Sequence, residues 1–193
     1  NMRTAALVGK NGSVDWYCFP RFDSPSVFAA ILDDKKGGRF LIQPQSDVIS
    51  HKQLYWPETN VLITRFHCSQ GIAELIDFIP VRTGDDSDVP DRIIRKVSLV
   101  TGNITMKVRC EPAFNYGRDS HSTEITATGA CFHSDKLSLG LSTEVPLKQA
   151  DGAVTGSVDL AEGQSAVFVL QGIEQDAGCG LPVSEEQAQE YLR

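Results

Sequence analysis

Thr4-Ala5-Ala6-Leu7-Val8-Gly9-Lys10-Asn11-Gly12-Ser13-Val14-Asp15-Trp16-Tyr17-Cys18 sets two apolar-alternating segments on either side of Asn-Gly. Asn-Gly is the strongest short hairpin signal, because both turn residues must accept positive φ. It predicts strands over residues 4–8 and 13–18. The pattern continues down the chain. Strands are expected over 40–43 and 48–55, then over 60–68 and 72–79 as a hairpin across Ser69-Gln70-Gly71. Residues 92–100 and 104–110 read as a further hairpin across Gly102-Asn103, and segments 123–127, 130–133, 137–143, 153–160 and 165–171 complete the set. About a dozen short strands punctuated by Gly, Asn and Asp predict an all-β fold, a large β-sandwich.

Two helices are expected. Ser24 can cap free N–H groups, Pro25 suits a first helical position, and Val27, Phe28, Ile31 and Leu32 recur at helical spacing. This predicts one short internal helix over 25–32, ended by Gly37-Gly38. Ser184-Glu185-Glu186-Gln187 is a capping signal opening a second helix to residue 193. The expected organisation is a β-sandwich domain over 1–183 and the start of a helical linker over 184–193. Gly84-Asp85-Asp86-Ser87-Asp88-Val89-Pro90, charged and aperiodic, reads as an exposed loop.

The chain has 193 residues and a net charge of -7. A domain of this size buries roughly 70% of its unfolded surface and needs no staple. The acidic balance argues against nucleic-acid or anionic-membrane partners. Five cysteines form no CxxC pair. Their odd number favours free thiols in a reducing compartment, hence a cytoplasmic location. No signal peptide is expected from these residues, and they hold no apolar run near 18 residues.

Acid–base hydrolysis needs two carboxyl groups facing one bond. Glu74-Leu75-Ile76-Asp77 is the tempting pair, but strand residues three apart point to opposite faces. Asp15 and Asp23 are better explained by turn and cap chemistry. The four histidines are scattered. Cys131 and His133 could share a strand face, but no second pair with zinc-like spacing joins them, so no metal and no cofactor is expected. GxSxG and phosphate-loop motifs are also missing. Aromatic and polar residues do cluster: Trp16, Tyr17, Phe19, Arg21 and Phe22, with Tyr55-Trp56-Pro57-Glu58 as a second group. Such residues stack on sugars, and they also fill interfaces. Trp16, Arg21, Phe22 and Asp23 are therefore candidates for contact with a substrate or another domain.

Five ordered segments resemble the N-terminal domain of bacterial glycoside hydrolase family 15 proteins, the glucoamylase and trehalase-like enzymes. They are Asn11-Gly12-Ser13-Val14-Asp15-Trp16; Pro20-Arg21-Phe22-Asp23-Ser24-Pro25-Ser26-Val27-Phe28; Pro57-Glu58-Thr59-Asn60-Val61-Leu62; Asp77-Phe78-Ile79-Pro80; and Phe114-Asn115-Tyr116-Gly117. The resemblance implies a β-super-sandwich followed by a helical linker and an (α/α)6 barrel carrying the catalytic glutamates. It transfers no catalytic residue here. It implies a non-catalytic domain that packs on its own C-terminal barrel, with an α-glucoside or trehalose-like saccharide as substrate of the whole protein. Because the chain opens on Asn1-Met2-Arg3 inside the motif, the natural start is expected upstream. Weak self-association is expected of a domain cut from its barrel. Two alternatives stand beside this: a free-standing carbohydrate-binding module, and a sandwich hydrolase using Glu74 and Asp77.

Overall fold

The computed structural model describes residues 2–81, 91–150, 152–175 and 177–192. The loop expected over 84–90 lies outside them. The fold is all-β, a sandwich whose two leaves share one strand. That strand, β8 (Arg92–Glu111), runs for 20 residues. Its C-terminal half joins the first leaf, where β1 (Ala6–Val8), β2 (Ser13–Cys18), β4 (Arg39–Pro44), β8, β13 (Ala153–Ala161) and β12 (Leu147–Ala150) lie in order. The short β3 (Ser26–Phe28) also pairs with β2. The N-terminal half of β8 joins the second leaf. There it lies between β7 (Gly71–Phe78) and β14 (Ser165–Ile173). Beyond β7 come β6 (Leu62–Cys68) and β5 (Val48–Tyr55). Beyond β14 come β11 (Ser138–Ser142), β10 (Gly129–Ser134) and β9 (His121–Thr126).

Alternation explains which faces meet. On β4, Phe40 and Ile42 point inward while Leu41 and Gln43 are half-buried. Phe66, Leu75, Val97, Met106, Phe132 and Phe168 fill the space between the leaves. A smaller cluster of Phe78, Ile94, Val167 and Val169 receives Ala188 of the helix α2 (Glu185–Glu190). Ser184 and Gln187 form the capping box that the sequence predicts.

A buried ion pair ties the layers together. Arg95 (0% exposed) on β8 stands opposite Asp77 (3% exposed) on β7. Its Nε donates to Asp77 Oδ1 at 2.7 Å, and one Nη donates to Oδ2 at 3.3 Å. The same guanidinium donates to the Gly12 carbonyl at 2.7 Å and to the Phe40 carbonyl, and lies 4.7 Å from the centre of the Phe40 ring. Gly12 must be glycine for two reasons: its φ is +81°, and an added Cβ would sit 2.1 Å from the Ile42 carbonyl oxygen.

Three expectations are corrected. Residues 25–32 form no helix: residues 26–28 are strand β3, paired to β2 with Tyr17 opposite Phe28. Ile31 and Leu32, 61% and 69% exposed, never joined a core stripe. Residues 92–110 are not a hairpin. Gly102-Asn103 is a bend inside β8, and Gly102, at φ +83°, lies opposite Gly71, where a Cβ would meet the Gln70 carbonyl at 2.0 Å. Finally, the five cysteines are not all free. Cys131 and Cys179 form a disulfide with a Cα–Cα distance of 5.1 Å, leaving Cys18, Cys68 and Cys110 as thiols. Pairing of β10 to β11 and β11 to β14 brings these two distant positions together, which spacing alone does not reveal. Strand β12 and the short turn α1 (Phe114–Gly117) went unpredicted as elements.

Replacing Arg95 with methionine leaves the Asp77 carboxyl group buried and without its ion-pair partner, and strips a donor from two carbonyls. The expected loss is about 3–5 kcal/mol in urea unfolding. Glu74→Gln, at a partly exposed cross-strand pair with Arg65, should cost less than about 1 kcal/mol in the same measurement.

Candidate functional site

The Asn11-Gly12 hairpin sets where the 19–25 loop begins. Gly9 N–H donates to the Ser13 carbonyl at 2.8 Å, and Asn11 Oδ1 accepts from Ser13 N–H at 3.2 Å. Asp15 accepts from the Ser13 hydroxyl, the turn chemistry anticipated for it. The loop itself is fastened by backbone bonds. Phe22 N–H donates to the Arg3 carbonyl at 2.9 Å, and Ser24 N–H to the Arg21 carbonyl at 3.1 Å. The Ser24 hydroxyl accepts from Arg21 N–H at 3.2 Å instead of capping a helix.

The four sequence candidates do not converge on one point. Arg21, Phe22 and Asp23 are exposed in the loop. Phe22, 61% exposed, borders a cavity of about 310 Å³ with Tyr55, Leu62 and Phe78, which unites the two aromatic groups of the sequence. Trp16 lies elsewhere, half-buried, its ring 6.0 Å from that of Tyr116. The tempting carboxylates also separate. Glu74 pairs with Arg65 on the outer side of β7, while Asp77 faces inward to Arg95. Neither is poised opposite the other. Among the described residues, no three His, Cys, Asp or Glu side chains are placed to share a metal ion.

Tyr116 was not among the candidates, and its backbone marks it. Asn115, Tyr116 and Gly117 have φ of 51°, 61° and 74°, a left-handed turn. Asn and Gly adopt this region readily; for tyrosine it is uncommon. The Phe114-Asn115-Tyr116-Gly117 motif was therefore a usable signal. Asn115 Nδ2 donates to Asp119 Oδ1 at 2.9 Å, and Arg118 stands over the Tyr116 ring at 5.7 Å. The turn is bonded to β3, as Ala113 N–H donates to the Val27 carbonyl at 2.8 Å. Between this turn and the 19–25 loop lies a second cavity, of about 230 Å³.

His121 packs behind the turn, its ring 5.2 Å from Phe114 and 6.0 Å from Phe132. Burial holds it below its ordinary value of 6.5, against a smaller opposing pull from Glu111.

The fold defines an all-β super-sandwich domain with a small cavity on either side of a tightly fastened loop. A family model for the trehalase-like N-terminal domain matches residues 1–187, and the chain belongs to that family. A trehalase of Thermoplasma volcanium is 37% identical over 176 residues, covering 90% of this chain and 28% of that protein. Trehalase 1 of Sulfolobus acidocaldarius is 44% identical over 117 residues, 61% of this chain and 19% of that protein. A trehalase of Mycobacterium tuberculosis is 32% identical over 138 residues, 64% of this chain and 20% of the relative. The chain thus spans less than a third of the length of each of these relatives.

Because its folded-state pKa is depressed, His121 binds fewer protons folded than unfolded below pH 6.5. Stability should therefore fall as pH drops through that value. Glu185 is held below its ordinary 4.5, chiefly by the hydrogen bond from Lys96, so a second loss should follow as pH falls below that value. Unfolding midpoints measured across pH should show both steps, and His121→Phe should remove the first.

Proposed function

We propose that this chain is the non-catalytic N-terminal domain of a glucoamylase- or trehalase-type hydrolase of glycoside hydrolase family 15. In the longer protein it packs on an (α/α)6 barrel and completes one wall of the pocket for an α-glucoside or trehalose-like saccharide. The observation that carries this is the match over nearly the whole chain to a domain family whose trehalase relatives are more than three times longer. The engagement of Glu74 and Asp77 by separate arginines on opposite faces of β7 supports it, since hydrolysis needs two carboxyl groups facing one bond. A cytoplasmic setting belongs to the same proposal. It draws on the acidic composition and three free thiols, while the Cys131–Cys179 bond weighs against it. Exposed apolar side chains at Ile31, Leu32, Tyr55 and Trp56 supply surface for a barrel, or for weak self-association without one.

The chain alone should hydrolyse neither trehalose, maltose nor soluble starch. Turnover that disappears on Glu74→Gln or Asp77→Asn would overturn the proposal in favour of a sandwich hydrolase.

In the full-length enzyme Arg21→Ala should lower kcat/KM severalfold, through the barrel interface or the substrate. Its exposed side chain should contribute less than about 0.5 kcal/mol to stability. Kinetic constants compared with the unfolding midpoint of the same variant test this. Unchanged kinetics with a large fall in midpoint would assign the loop to structure alone.

A further inference from the structure

The outer face of the second leaf carries an apolar strip that α2 covers at one end. Residues directly opposite each other in paired strands point to the same side of a sheet. Register therefore sets Leu54, Ile63, Ile76, Lys96 and Val167 in a single row across β5, β6, β7, β8 and β14. A second row beside it carries Phe78, Ile94 and Val169. At the β14 end both rows meet α2. Ala188 is buried among Phe78, Ile94, Val167 and Val169, and Lys96 Nζ donates to Glu185 Oε1 at 2.7 Å. Val61 and Ile76 pack against the same cluster. Toward β5 the strip opens to solvent. Ile63 and Ile76 are half-buried, and Leu54 is 37% exposed. Trp56, whose N–H donates to the Val61 carbonyl at 2.9 Å, is 42% exposed. Lys52 and Arg65, opposite each other two residues along, border the strip.

We propose that the open end of this strip seats a second amphipathic helix, lying beside α2 and belonging to the longer polypeptide. Continuity is the first reason. The exposed residues extend rows that already seat one helix, and an apolar patch rimmed by polar residues marks an interaction surface. Spacing is the second. α2 rests on β8 and β14, and β6 lies two strands from β8. Two strand spacings amount to roughly 10 Å. Helices pack about 8–10 Å apart, so a helix laid over β6 reaches both the strip and α2. Charge is the third. Glu74 pairs with Arg65, so Lys52 at the rim is free, among the described residues, to meet an acidic side chain on the flank of the incoming helix. Membership of the same polypeptide rests on the function proposed above and on relatives more than three times as long. The strip itself rests on strand register.

The test places a thiol on the strip with Leu54→Cys and follows its labelling by a maleimide, read by mass on the peptide carrying residue 54. The 193-residue chain and the full-length enzyme are compared. Labelling should be slower in the full-length enzyme by about tenfold or more, since a covered side chain reacts only when its cover opens. Lys107→Cys, at an exposed position on the first leaf, is the reference and should label at the same rate in both. A photo-crosslinker carried on Lys52→Cys should capture a peptide from beyond residue 193 whose apolar residues recur at three- and four-residue spacing. Equal labelling of Leu54→Cys in the two proteins overturns the proposal. So does protection confined to Lys107→Cys, which would put the partner on the first leaf. Capture of residues 1–193 of another copy, or of a peptide without helical spacing, also overturns it. A full-length enzyme that cleaves trehalose while Leu54→Cys labels as fast as in the short chain would discard the strip and leave the proposed function standing.

Discussion

Arg95 is the point at which the two leaves and the first hairpin become one structure. A guanidinium taken out of water costs several kcal/mol unless its donors are met. Here four N–H groups are met by Asp77 and by the carbonyls of Gly12 and Phe40. Those two carbonyls belong to the first leaf, whereas Arg95 and Asp77 belong to the second. The pair therefore fixes register between leaves whose other contacts are largely non-directional and apolar, with Gln53 Nε2 of β5 donating to the Val8 carbonyl of β1 as a further polar tie. Sliding β4 by one residue would withdraw the Phe40 carbonyl and leave a buried donor unmet.

The continuity of β8 makes this economy possible. One strand serving both leaves carries Val97 and Leu99 into the core from one and Ile104 and Met106 from the other. A strand of this length must bend where it passes between leaves. Gly102 and Gly71 allow that by bringing two backbones closer than any side chain permits. On one side of the bend β8 pairs with β7 and β14, on the other with β4 and β13. Mutations in β8 therefore act on both leaves at once, and their effects should not add simply with those of residues on either leaf.

What the sequence revealed and concealed follows from the range of the forces involved. Asn11-Gly12 and Ser69-Gln70-Gly71 are local turn chemistry, and both hairpins stand where that chemistry puts them. The alternation in β6 and β7 is likewise local. Residues 25–32 misled because their apolar spacing fits a helix, yet β2 offers Ser26 and Phe28 ladder partners that only the fold supplies. Gly102-Asn103 carries the same residues whether it turns a hairpin or bends a strand. Pairing of Trp16 with Tyr116, and of Cys131 with Cys179, depends on contacts that no window of sequence contains. Phe22 and Tyr55, by contrast, were legible as aromatic clusters, and the fold joins them at one cavity.

The arrangement around residues 19–25 and 114–119 says more than the presence of either segment. Holding a non-glycine residue in the left-handed region costs on the order of 1–3 kcal/mol. Here Tyr116 bears that cost, beside Asn115, which adopts the region readily. A turn needed only to reverse the chain could use glycine and avoid that cost. The side chains at these positions are thus what the strain secures: one amide held against Asp119, one ring held against Trp16. Across the cavity the opposing loop is fastened by Arg3, Arg21 and Ser24. Two surfaces fixed before any partner arrives lose little entropy when it does. Phe19 and Phe114 anchor these two segments in the main core, so the strain on one side and the tight backbone bonding on the other are held in place by packing from beneath.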